Sequence, residues 1–212
     1  LEMTRGANPA KGTVFARQSN IDIETGATIA ADDRRMHYQK ANMLWHSDSS
    51  FKAIPSRCSV LTPREIPAEG GATEFGSTRA AYESLDAGRR AELDELIVEH
   101  DLVYSRRLVG FEFTPEEAAT MPASRHRLVQ TCSTTGHRSV LIGAHAKQIV
   151  GWPADESRAL LDELLALAQI DFGPLYDGLG DGVEHQPGDV LPADRVIARG
   201  DGSYHAAKRA QP

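Results

Sequence analysis

Cysteine is nearly absent from this chain of 212 residues: it has Cys58 and Cys132, and neither has a neighbour at zinc-ligand spacing. Two such residues cannot make a disulfide framework or a thiolate zinc site, and a reducing cytoplasm suits the composition. Basic residues are also in short supply. Asp and Glu number 30 against 23 Lys and Arg, a net charge of -7, and the Lys and Arg residues are scattered rather than massed in a stripe. Nucleic acid is therefore not an expected partner. No apolar run approaches the roughly 18 residues of a membrane span, and the opening LEMTRGANPAKG lacks a signal-peptide core. The expectation is a chain that neither enters a membrane nor is exported.

What is present is ordinary for a folded globular protein, with 41% hydrophobic and 25% charged residues. One domain over residues 1–212 is expected, since the length supports a real core and no stretch reads as a linker.

Along the chain, GTVFARQSNIDI (residues 12–23) has strand composition, and ETGATIAADDRR after it reads as loop. Short apolar runs at 42–46 and 57–62 also read as strands. Ser77 or Thr78 can cap a helix in which Ala80, Ala81 and Leu85 recur at helical spacing. Leu93, Leu96 and Ile97 continue the pattern, with Gly88 as the break. Thr114, Pro115 and two glutamates open a second short helix. Alternation on both sides of Thr134, Thr135 and Gly136 predicts a β-hairpin. After Trp152 comes the clearest helix, whose leucines at 160, 161, 164, 165 and 167 mark a core-facing stripe. The Gly- and Asp-rich text beyond holds at most one strand. Strands with helices between them, without regular strand-helix alternation, point to a mainly β, α+β fold, an antiparallel barrel or sandwich with helical inserts.

The stretch LWHSDSSF, residues 44–51, carries the first chemical suggestion. On a strand, residues two apart project to the same face, so His46 and Asp48 can converge on one centre. An imidazole and a carboxylate are two of the three donors in the facial triad of mononuclear non-haem iron. Such tripeptides also arise by chance, and a surface histidine beside a serine-rich turn is the plain alternative.

Several blocks follow that motif in order: NMLWHSDSSF, RCSVLTPREIPAEGGATEF, RAAYESLD and LVQTCSTTGHRSVLIGAHAKQIVGW. Together, over about residues 40 to 170, they resemble the iron(II)- and 2-oxoglutarate-dependent dioxygenases of the taurine dioxygenase family. The 2,4-dichlorophenoxyacetate (2,4-D) dioxygenase branch is the nearest match. The resemblance implies a double-stranded β-helix, or jelly roll, incomplete at its N-terminus because the family's longer leading segment has no counterpart here. It implies His46 and Asp48 as iron ligands, Thr73 as a partner of 2-oxoglutarate, Asn42 as a substrate contact, and His145 of IGAHA at the substrate pocket. Local backbone satisfaction is the alternative for Asn42, and a structural imidazole the alternative for His145. Gly70 and Gly71 would allow close backbone approach. Cys132 stands where relatives carry a substrate-side histidine and is expected to be a buried apolar residue.

The end of the chain departs from the family. In GDVLPADRVIARGDGSYHAAKR, Ala198 falls where the distal histidine ligand belongs, and Arg209 falls at the arginine that grips the far carboxylate of 2-oxoglutarate. Alanine cannot bind iron. Either His205 supplies the third donor through a shifted loop, or residues are missing around 186–198, or the metal site is incomplete. The implied activity is hydroxylation of a small organic acid by iron(II), 2-oxoglutarate and O2. For an aryloxyalkanoate such as 2,4-D this ends in ether cleavage to a phenol and glyoxylate. A sulfonate dioxygenase of the taurine type, or a non-catalytic relative that binds a small acid, are the alternatives. A homo-oligomer is compatible with either.

Overall fold

The computed structural model describes residues 19–22, 24–56, 58–59, 73–169, 191–192 and 196–200, the last two stretches by their backbone. Of the strand expected over 12–23, only part lies within the described residues, and there it is an isolated bridge between Ile21 and Thr28.

Asp33 opens helix α1 (Arg34–Gln39) by accepting a hydrogen bond from the Arg35 backbone N–H. The helix runs directly into a 3-10 turn, Lys40–Met43, before Leu44 returns to extended backbone. A strand over 42–46 is thus corrected to a helical turn followed by extended chain. The Asp33 cap starts a helix in text that reads as loop, and it carries through to Met43 with Met36 and Ala41 buried.

Strand β1 is Cys58–Ser59, and β2 (Thr73–Ser77) leads straight into α2 (Thr78–Ser84), capped by Ser77 as expected. The break before α3 (Ala87–Asp94) is not at Gly88. Leu85 is extended, the Asp86 side chain caps the new helix through Arg89 N, and Gly88 lies inside its first turn. Strand β3 (Ile97–His100) occupies apolar text that continues the helical spacing, and Asp101 caps α4 (Leu102–Arg107), which the sequence reading does not contain. Helix α5 (Pro115–Ala119) has the reciprocal Thr114 and Glu117 capping box. Strands β4 (Ser124–Arg127), β5 (Val129–Thr131), β6 (Arg138–Val140) and β7 (Ala146–Ile149) precede the long α6 (Ala154–Gln169). The expected hairpin is β5–β6, closed by Cys132 N–H donating to the His137 carbonyl at 2.8 Å, with Gly136 at φ 72°. Two strands, β8 (Leu191–Pro192) and β9 (Val196–Gly200), stand where at most one was expected.

All ladders are antiparallel: β4-β3-β7, β5-β6, β2-β9 and β1-β8. The architecture is mixed α and β rather than mainly β, since more of the described residues lie in helices than in strands. One core joins them. Leu160, Leu161, Leu164 and Ala168 of α6 pack with Ala81 and Tyr82 of α2, Leu93, Val98 of β3, Ile149 of β7, and Leu128, Val140 and Ile142 around the hairpin. Each fully buried leucine or isoleucine there contributes roughly 2 kcal/mol of transfer free energy. No helix among the described residues is long and apolar enough to cross a membrane.

Candidate metal centre

The segment from Leu44 to Phe51 is fixed to the loop between β6 and β7 at three points. Ala144 N–H donates to the Trp45 carbonyl at 2.7 Å, and Ser47, fully buried, donates its hydroxyl to the Ile142 carbonyl at 3.1 Å. Between them lies Gly143 at φ 111°, where a Cβ would come within 2.8 Å of the His46 Cα and 2.9 Å of the Trp45 oxygen. Only glycine permits that approach. The serines of the motif have separate tasks. Ser47 anchors the segment inward, Ser49 turns it at φ 61° with its hydroxyl 2.9 Å from that of Ser56, and Ser50 is buried.

With Ser47 turned inward, His46 and Asp48 face the other way. The Nδ1 of His46 is 2.7 Å from the Leu44 carbonyl. A carbonyl only accepts, so Nδ1 carries a proton and Nε2 is the ring nitrogen turned toward Asp48. That Nε2 lies 3.5 Å from Asp48 Oδ1, while Asp48 Oδ2 accepts a 2.5 Å hydrogen bond from Ser59 on β1. The His46 ring beside it, with Ser59 assisting, pushes the Asp48 carboxyl down to about 2 against the opposing effect of burial. A ring nitrogen facing a carboxylate oxygen at this distance calls for a cation between them, either a proton or a metal. Metal–nitrogen and metal–oxygen bonds of about 2.0–2.2 Å suit a gap of this size. The donor set, one imidazole and one carboxylate, fits a divalent ion such as iron(II).

His145 lies beside the pair, its ring centre 6.1 Å from that of His46 and 4.8 Å from that of Phe51, each edge-on. It is buried, its Nδ1 is 2.9 Å from the Ser105 hydroxyl, and burial, with His46 adding, holds it well below the ordinary histidine range. It is therefore a neutral imidazole at physiological pH. Asn42 is half-buried in the 3-10 turn that leads to His46. Thr73, half-buried, is the first residue of β2 and pairs in register with Gly200, while Phe75 pairs with Ala198. Strand β9 runs beside the 3-10 turn, so the backbone carrying Ala198 passes close to the segment that enters the motif. Among the described residues, no group of three His, Cys, Asp or Glu side chains is placed to hold a metal. Gly70, Gly71, His205 and Arg209 lie outside the described residues. Cys132 is half-buried in the hairpin turn, not buried as expected.

Three contributors escape the sequence reading: Ser59, Gly143 and Ser105. The glycine of IGAHA was the one with a usable signal, a glycine between apolar strand text and a histidine. Ser59 meets Asp48 eleven positions away in sequence, and Ser105 meets His145 forty away, separations at which periodicity says nothing.

Comparison with known proteins follows the same lines. Residues 4–173 match the family described as "Taurine catabolism dioxygenase TauD, TfdA family". The chain is 40% identical over 148 residues to an alpha-ketoglutarate-dependent 2,4-dichlorophenoxyacetate dioxygenase of Burkholderia sp. (strain RASC), covering 69% of this chain and 50% of that protein. It is 32% identical over 162 residues to an (S)-phenoxypropionate/alpha-ketoglutarate-dioxygenase of Sphingobium herbicidovorans, covering 73% of this chain and 56% of that one. The crystal structure of AAD-2 in complex with Mn(II) and N-oxalylglycine superposes with a TM-score of 0.72 at 33% identity, over 85% of this chain and 65% of that chain. The chain thus spans about half the length of the curated relatives it matches.

Proposed function

The chain belongs to the taurine catabolism dioxygenase TauD, TfdA family, and from that premise we propose that it is an iron(II)- and 2-oxoglutarate-dependent dioxygenase. Its substrate is a small organic acid, an aryloxyalkanoate such as 2,4-D. The observation that carries this is His46 Nε2 set 3.5 Å from Asp48 Oδ1, with His46 Nδ1 turned away to the Leu44 carbonyl.

Iron(II), bound with 2-oxoglutarate and O2, supplies the oxidation: one oxygen atom goes to the substrate and one to succinate, with release of carbon dioxide. The rest is the work of the chain. His46 and Asp48 hold the metal, and Ser59 holds Asp48 so that Oδ1 stays turned to His46. Thr73 and Arg209 take the carboxylates of 2-oxoglutarate. Asn42 and His145 face the substrate, His145 as a neutral imidazole fixed by Ser105. Hydroxylation of the carbon beside the ether oxygen gives a hemiacetal, which loses the aryloxide as a phenol and leaves glyoxylate. His205 is the third donor that this sequence offers, five residues past the end of β9. We read the antiparallel ladders as a jelly roll and the chain as one dioxygenase-like domain, a reading supported by the single core.

The test is turnover by the full-length protein with iron(II), 2-oxoglutarate and O2. Succinate and phenol should form in equal amounts from 2,4-D, and His46→Ala should lower both at least about a hundredfold, as expected for loss of a metal ligand. Succinate with taurine but not with any phenoxyacid would reassign the substrate. No succinate with either would overturn the enzymatic reading.

A further inference from the structure

Arg106 is the one described arginine that is buried, at 7% exposure, and it has no carboxylate at ion-pair distance among the described residues. Its neighbour Arg107 pairs with Glu112, and Arg34, Arg79, Arg89, Arg125, Arg138 and Arg158 likewise meet carboxylates at the surface. The Nε of Arg106 is enclosed without a hydrogen-bond partner. What the guanidinium does touch is Tyr38, whose ring centre lies 4.3 Å from its central carbon. A cation–π contact recovers only part of the cost of taking a guanidinium out of water. An interior cation in this condition calls for an anion, and the planar fork of arginine matches a carboxylate with two parallel hydrogen bonds.

The location says which anion. Tyr38 is one helical turn before Asn42, and Ser105, the residue preceding Arg106, fixes the His145 ring, which in turn stands edge-on to His46. The charge of Arg106 is close enough to help keep His145 neutral. Arg106 thus shares its surroundings with the residues assigned to the substrate, whereas Thr73, assigned to 2-oxoglutarate, sits at the start of β2.

We propose that Arg106, braced flat on Tyr38, binds the carboxylate of the small organic acid and so sets the preference of the site for acids. This rests on the dioxygenase reading, and it adds the group that recognises the substrate's charge.

The experiment uses the full-length chain loaded with Mn(II) and N-oxalylglycine, so that nothing turns over, and titrates phenoxyacetate against its neutral analogue 2-phenoxyacetamide by calorimetry. Wild type should prefer the acid by about 30-fold, the size of a charge-assisted bidentate contact. Arg106→Gln should reduce that preference to within about threefold, while affinity for N-oxalylglycine stays unchanged. Arg106→Lys, which keeps the charge and loses the fork, should bind phenoxyacetate about threefold more weakly with amide binding unchanged, so that a preference of about tenfold remains. If Arg106→Gln does not fold, the lysine variant decides: weaker acid binding with unchanged amide binding supports the assignment, and no change overturns it. Retention of the full preference in Arg106→Gln overturns Arg106 while leaving the dioxygenase reading standing, as does equal weakening of both carboxylic ligands. A wild type that binds neither Mn(II) with N-oxalylglycine nor the acid brings down both.

Discussion

At the scale of single residues, the two proposed metal donors are held by partners that leave one atom of each turned toward the other. His46 gives its Nδ1 proton to Leu44, and Asp48 takes the Ser59 hydroxyl on Oδ2, so Nε2 and Oδ1 are left to face one another. Ser59→Ala should therefore weaken Mn(II) binding by about tenfold, the usual cost of removing an outer hydrogen bond to a ligating carboxylate, and titration calorimetry would measure it. His100 presents the opposite condition. It is fully buried, both ring nitrogens lack hydrogen-bond partners, its ring centre is 5.7 Å from that of His126, and burial, with His126 adding, pushes its pKa down to about 3. A base depressed in the folded state binds its proton more readily when unfolded. Its contribution to stability is complete above the unfolded value near 6.5 and is lost as pH falls from there toward 3. Between pH 7.5 and pH 5 the loss is about 2 kcal/mol. His100→Phe fills similar space without titrating. Urea denaturation should show this variant more stable than wild type, by a margin that widens by roughly 1 kcal/mol per pH unit below pH 6. A margin that does not change with pH would show that His100 is already paired.

At the scale of elements, the site depends on how closely the β6–β7 loop approaches the motif. Gly143→Ala places a methyl 2.8 Å from the His46 Cα at a φ of 111°, so either the loop or the ligand segment must move. The expected cost is about 3 kcal/mol in stability, with Mn(II) affinity reduced at least about tenfold, read from denaturation and titration of the same preparation. Ser47→Ala, which deletes a buried hydrogen bond of the same junction, should cost about 1 kcal/mol and leave metal binding nearly intact. What was legible in the sequence follows the same division. The α5 capping box, the hairpin around Gly136 and the leucine stripe of α6 are set by residues within a few positions of one another, and each occurs where its pattern lies. Strand β3 was not legible, because Leu96 and Ile97 extend the spacing of α3 and only pairing with β4 and β7 makes the segment a strand. The displaced break at Leu85 and Asp86 has a local reason: a capping carboxylate sets a helix start more firmly than a glycine within the first turn prevents one. At the proposed site, the convergence of the His46 and Asp48 side chains was legible through their spacing. The approach of Gly143, the Ser105 contact to His145 and the burial of Arg106 are products of tertiary packing.

At the scale of the molecule, the groups assigned to the metal and the co-substrate are held by separate parts of the fold. His46 is joined to the β6–β7 loop, Thr73 begins the β2-β9 ladder, and Ser59 belongs to β1-β8. A bound metal and co-substrate would tie these parts to one another, and would bind the folded chain and not the unfolded one. Mn(II) with N-oxalylglycine at a hundred times its dissociation constant should therefore stabilise the protein by about 2.7 kcal/mol, which corresponds to a rise of roughly 5–10 °C in the unfolding midpoint for a chain of this size. His46→Ala should abolish that rise. His205→Ala tests the end of the chain in the same assay, because a third donor carried past β9 makes ligand stabilisation depend on a residue far from the motif in sequence. Loss of the rise in His205→Ala, with the ligand-free midpoint unchanged, is the expected result. A full rise would mean that His46 and Asp48 hold the metal without His205.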